Sequence, residues 1–118
     1  MGMESKPVTQ AKLDKLLAKW QKVLRLQNWE ISIEPVNVIK ENYNLMGQAD
    51  IMATFREAKI QIRADLSGKS LEYTVVHELM HVVFGGMDPP DTGAYNYIFE
   101  TGIEAMARIL VDGANGKS

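Results

Sequence analysis

The segment His77-Glu78-Leu79-Met80-His81 holds the residue types and spacing in this chain best suited to chemistry. Residues four apart on a helix share a face, so both imidazoles point the same way and can meet one metal ion, with Zn–N near ~2.0–2.1 Å. Glu78 stands one position further on, about a quarter turn round, where it can reach a water on the metal without ligating it. These are the only two histidines in the chain. Random placement would give such a pair, with glutamate directly after the first, in roughly one arrangement in 800, so the spacing carries information. A single histidine on a buried helix is usually a satisfied core residue. Two on one face would each need a partner, and a shared metal supplies both.

A catalytic zinc takes three protein ligands and keeps a fourth position open. The chain has no cysteine and no third histidine, so the third ligand must be a carboxylate. Glu100 and Glu104, again four apart, are the candidates, and spacing alone permits either order. Residues 82–99 separate His81 from Glu100, and about ten of them form a loop that turns the chain back.

The elements that must position these side chains read as helix, sheet, helix, helix. Thr9 is a plausible N-cap for a helix to about residues 27–28, with Leu13, Leu16, Leu17, Trp20, Val23 and Leu24 as its apolar stripe. Residues 29–38 read as a strand broken or finished by Pro35, and residues 41–44 as a turn. Residues 45–55 read as a second strand with a bulge at Gly47, Arg56-Glu57 as a tight connection, and 59–64 as a half-buried strand completing an antiparallel hairpin. Ser67 or Ser70 caps the next helix, with Glu72 in its first turn. That helix is apolar almost all round and stops at Gly85-Gly86 near residue 84. A surface loop over 87–93 leads to a last helix over 95–112, ended by Gly113. The expectation is one α+β domain spanning 1–118: an N-terminal helix, a small twisted and mainly antiparallel sheet of about three strands, the histidine helix and a C-terminal glutamate helix. Residues 1–8 and 114–118 are expected to be loose.

The pattern His77-Glu-x-x-His81, eighteen residues, then Glu100 resembles the gluzincin zinc metallopeptidases, and the short chain resembles their single-domain relatives, the minigluzincins. The likeness covers residues 70–112 well and the N-terminal part only by order of elements. It implies peptide-bond hydrolysis with one zinc ion, Glu78 as general base, and His77, His81 and Glu100 as ligands. It also implies Glu104 as the carboxylate supporting the first histidine. Gly102 lies between the two glutamates, and because a mid-helix glycine costs ~1 kcal/mol relative to alanine it reads as permitting close approach to the histidine helix. The resemblance further implies an extended peptide substrate laid along an edge strand within residues 47–55, and a terminal segment (1–8 or 114–118) able to occupy the cleft. Larger family members add a tyrosine or histidine to hold the oxyanion; Tyr43, Tyr73, Tyr95 and Tyr97 are the tyrosines available here.

Composition narrows the alternatives. Apolar residues at 46% and charged ones at 24% suit an ordinary globular domain. The absence of cysteine excludes a disulfide framework, a zinc finger and a thiol nucleophile. No stretch approaches the ~20 apolar residues of a membrane span, and no apolar segment follows the N-terminal lysine, so no membrane partner and a cytoplasmic protein are expected. The net charge of −2 gives no reason to expect nucleic acid. Six basic groups within residues 1–25 (Lys6, Lys12, Lys15, Lys19, Lys22, Arg25) make either a docking face or, more commonly, a solvated helix face. Peptide deformylases and metzincin-like proteases need a third cysteine or histidine ligand. Two rivals remain: an ImmA/IrrE-type regulatory protease that cleaves a repressor, and a non-catalytic zinc-binding module.

Overall fold

Thr9 starts the first helix, α1 (Gln10–Val23): its extended backbone lets the hydroxyl accept the Lys12 N–H at 3.2 Å. The computed structural model describes residues 7–39, 45–86 and 93–116, with side chains from residue 96 onward in the last stretch. Leu13, Leu17 and Trp20 form the buried stripe, while Val23 is half exposed. The helix stops earlier than the apolar pattern suggests. Arg25 adopts a left-handed conformation, so its N–H bonds Lys22 O and the N–H of Leu26 bonds Gln21 O. That double bond is the Schellman stop, with buried Leu26 packed beneath it.

Three strands follow: β1 (Glu30–Val36), β2 (Gly47–Met52) and β3 (Glu57–Arg63). A short 3-10 turn, Ala53–Phe55, and left-handed Arg56 join β2 to β3 as an antiparallel hairpin. Residues 53–55 are therefore not strand. The sheet order is β1-β3-β2, and β1 pairs with β3 in parallel, from Glu30 opposite Glu57 to Val36 opposite Arg63. The sheet is thus mixed and not mainly antiparallel: the chain leaves β1 and lays β2 on the far side of β3, so β3 returns between them. Pro35 does not break β1; it sits opposite Ile62 in an edge strand, where a missing N–H is tolerated. Gly47 makes no bulge, because the β2–β3 register is continuous through it.

Ala58, Ile60 and Ile62 alternate inward from the central strand and join Ile33 beneath the helices. Helix α2 (Gly68–Val83) supplies the middle of this core with Leu71, Val75, Val76, Leu79 and Val82. Ser67 holds the N-cap position, though its hydroxyl makes no capping bond. Glu72 lies beyond the first turn. Its carboxylate instead accepts the Trp20 indole N–H at 2.6 Å and pairs with Lys19 at 2.9 Å, tying α2 to α1. Gly85 and Gly86, both with positive φ, close α2 with bonds to Val82 O and His81 O. Helix α3 (Gly93–Ala114) packs on α2 through Ile103, Ala107 and Val111. No helix of the described residues is long and apolar enough to cross a membrane.

The chain ends are partly outside the described residues. Of the described part, Val8 donates its N–H to Ala64 O and packs against the core. Asn115 bonds Lys19 and Glu72.

Candidate metal centre

Helices α2 and α3 run antiparallel past each other, so that residues further along α2 meet residues earlier on α3. Tyr73 meets Asp112, His77 meets Glu104 and Glu100, and His81 meets Glu100. The i, i+4 repeat on each helix makes this ladder, since residues at that spacing stack on one face. His77, His81 and Glu100 offer ligand atoms that all lie within 4.8 Å of one another. One Glu100 oxygen is 3.0 Å from His77 Nε2 and 3.3 Å from His81 Nε2.

Glu104 accepts a hydrogen bond from His77 Nδ1 at 2.8 Å. With its proton on Nδ1, a neutral His77 turns the Nε2 lone pair toward the Glu100 carboxylate. Two acceptors that close repel unless something positive stands between them: a second proton on the ring, or a cation. The surrounding carboxylates favour the first in the protein alone. Burial opposes charge on His77, but the Glu104 bond, the Glu78 charge and Glu100 outweigh it and raise its pKa. A divalent ion answers the same need for both rings. Ligands at about 2.0–2.1 Å in a tetrahedron lie roughly 3.3 Å apart, close to the two separations between Glu100 and the histidine nitrogens. The donor set therefore fits a metal of zinc's kind.

Glu78 lies under β2, with its side chain against Gly47. It is 8% exposed. Burial pushes its carboxyl up to about 7, partly opposed by His77 and reinforced by Glu100 and Glu104. A cation at the triad would add positive charge beside it and favour ionisation. Glu78, His81 and Glu100 line one cleft of about 1270 Å³ together with Gly47, Ala49 and Ile51 of β2. The Arg63 N–H donates to Met46 O at 2.8 Å, fixing which pairs of the hairpin exchange bonds. Antiparallel alternation then aims the backbone groups of Gly47, Ala49 and Ile51 outward, at the edge of β2 that no strand of the described residues covers.

One expectation fails, and the tyrosine candidates narrow. Gly102 does not approach α2: a Cβ there would meet nothing within 4 Å, because the face turned to α2 is set by Ile103, Ala107 and Val111. Tyr73 does not face the cleft, since its hydroxyl donates to Asp112 at 2.7 Å. Tyr97 is exposed and does not line the cleft. Tyr43 and the Tyr95 side chain lie outside the described residues.

The sequence reading overlooked Arg108, whose Nε donates to Glu104 at 2.7 Å and whose guanidinium lies 4.8 Å from the Tyr73 ring centre. The signal was available, because Glu104 and Arg108 are an i, i+4 pair. Gly47, expected as a bulge, instead gives close approach to Thr74 and Glu78.

The chain matches no protein-family model, no curated protein and no solved structure. The geometry stands on its own: two histidines from one helix and a glutamate from the next make a group able to hold a metal ion, compatible with a zinc site of the His-Glu-x-x-His type.

Proposed function

We propose that this chain is a zinc metallopeptidase of the gluzincin kind. The observation that carries the reading is the convergence of His77, His81 and Glu100 beside a buried carboxyl, Glu78, in a cleft walled by an open strand edge. A structural metal site has no use for a further, unligating carboxyl, and burying one without purpose is costly.

His77, His81 and Glu100 hold the ion, and Glu104 orients His77. Zinc would supply Lewis acidity, lowering the pKa of a water toward ~7 and polarising a carbonyl. Glu78 takes the proton of the attacking water and returns it to the leaving amine. The outward-facing backbone groups of Gly47, Ala49 and Ile51 bind the peptide as an added strand, which keeps the scissile bond extended across the cleft.

The test is Glu78→Gln, measured for zinc content and for cleavage of a peptide library. Retained zinc with hydrolysis lost supports the enzyme. A wild-type protein that binds zinc tightly yet cleaves nothing in the library sinks the peptidase and leaves a non-catalytic zinc module.

A further inference from the structure

We propose that Arg108 is a positioning residue of the metal centre: it holds Glu104 as the acceptor for His77 and keeps that carboxylate from competing with Glu100 for the ion. The inference rests on the zinc site proposed above and adds a residue to it.

Glu104 has two oxygens, and both are committed. Oε1 accepts the His77 Nδ1 proton at 2.8 Å, and Oε2 accepts the Arg108 Nε proton at 2.7 Å. A carboxylate gripped from both sides cannot swing its oxygens toward Nε2 of either histidine. Glu100, one turn earlier on α3, lies against both Nε2 atoms, and its only ion pairs among the described residues are with those two rings. Two glutamates that spacing alone could not rank are thus distinguished by the cation on one of them.

An exposed i, i+4 ion pair is ordinarily weak, because two long side chains must be ordered to form it. Arg108 is 58% exposed along its side chain. Its order comes from a neighbour on the other helix. The guanidinium lies over the Tyr73 ring, and the Tyr73 hydroxyl donates to Asp112. The ring is thereby tied to α3 one turn beyond Arg108, and it presents its face to the cation. The chain of contacts runs from Asp112 through Tyr73 and Arg108 to Glu104 and His77, each link joining α2 to α3 or one turn of α3 to the next.

The experiment measures zinc affinity by competition with a chromophoric chelator, and the visible spectrum of the cobalt(II)-loaded protein, for wild type, Arg108→Met, Arg108→Lys, Glu104→Gln and the Arg108→Met/Glu104→Gln double variant. Arg108→Met is expected to weaken zinc about tenfold, the scale of losses when partners behind a metal ligand are removed. Its cobalt band shifts as Glu104 is released toward the ion. Arg108→Lys, which keeps the charge and folds wherever an exposed arginine does, restores part of the affinity. The double variant binds zinc as Glu104→Gln does, because Arg108 acts only through Glu104. Unchanged affinity and spectrum in Arg108→Met overturns the proposal, as does a further tenfold loss in the double variant. Tight zinc without hydrolysis sinks only the peptidase reading, whereas a wild type that binds no zinc removes the centre and this inference together.

Discussion

Gly47 lies directly over Glu78: a Cβ placed on it would stand 3.1 Å from Glu78 Cγ, 3.2 Å from Glu78 Oε2 and 2.9 Å from Thr74 Cγ2. The Thr74 neighbour has little freedom, since its hydroxyl is bonded to Ser70 O at 2.7 Å. Relief must come from Glu78 or from the strand. Gly47→Ala is therefore expected to cost about 1–3 kcal/mol, as for other overpacked sites. It should also lower the rate of peptide hydrolysis more than it lowers zinc affinity, because the general base moves and the ligands do not. Urea unfolding, zinc titration and turnover measured on the same preparation check this. Wild-type rate and stability in Gly47→Ala would show that the strand does not confine the carboxyl.

Glu100 and Glu104 should respond differently to the same loss of charge. Glu100→Gln removes a ligand and is expected to abolish stoichiometric zinc. Glu104→Gln leaves three ligands and is expected to weaken zinc about 10–100-fold. Zinc at a hundred times its dissociation constant adds ~2.7 kcal/mol to the folded state, so a chelator should lower the melting temperature of wild type and leave that of Glu100→Gln unmoved. Metal analysis with melting curves gives both readouts, and stoichiometric zinc in Glu100→Gln would reverse the roles of the two glutamates.

Features written within a turn or two of helix were readable from the sequence, whereas features made by distant segments were not. The His77–His81 pair, the Glu100–Glu104 pair, the Thr9 cap and the Gly85-Gly86 stop each depend on spacings of one to four residues, which helix geometry converts directly into position. The β2–β3 hairpin was readable for the same reason. The parallel pairing of β1 with β3 was not, because nothing in either strand's own residues says which neighbour will lie beside it. Gly102 was misjudged through helix phase. Ile103, Ala107 and Val111 mark the buried face, and Gly102, a hundred degrees away from Ile103, falls outside it. Glu72 looked like a helix-terminus charge and proved to be the partner of an indole 52 residues away.

That Glu72–Trp20 contact gives the fold an acid-sensitive joint. Burial works against ionisation of Glu72, but the Lys19 ammonium, the Trp20 N–H and the Asn115 amide outweigh it and hold the carboxyl below its usual 4.5. A group with a depressed folded-state pKa stabilises the fold above its unfolded pKa, and that contribution disappears as pH falls through the folded value. Wild type should therefore lose stability below about pH 4.5. Glu72→Gln keeps an acceptor for the indole and loses the charge, so it is expected to be weaker than wild type at pH 7, with the gap narrowing as pH falls below about 4.5. Glu72→Leu leaves the fully buried indole N–H without its partner and should cost about 1–3 kcal/mol at either pH. Urea unfolding followed by tryptophan fluorescence, with chelator present so that metal loss does not contribute, separates these cases. A constant gap between wild type and Glu72→Gln from pH 7 to 3 would exclude the linkage.

The two glycines that end α2 share a backbone requirement but not a neighbourhood. Both have positive φ, +67° at Gly85 and +74° at Gly86, which costs an L-residue roughly 1–2 kcal/mol. A Cβ on Gly85 would meet nothing within 4 Å, whereas one on Gly86 would lie 3.2 Å from Ile51 Cβ and 3.3 Å from its Cγ2. Gly85→Ala therefore measures the backbone cost alone. Gly86→Ala adds pressure against β2, the strand whose edge bounds the cleft, and should be the more destabilising of the two by about 1 kcal/mol. Because Ile51→Ala removes Cγ2 and Cδ1 from that contact, the Gly86→Ala penalty should shrink in its presence, giving a non-additive cycle where Gly85→Ala with Ile51→Ala is additive. Equal penalties at Gly85 and Gly86, with both cycles additive, would mean that β2 yields freely, and that the end of α2 does not set the height of the strand above Glu78.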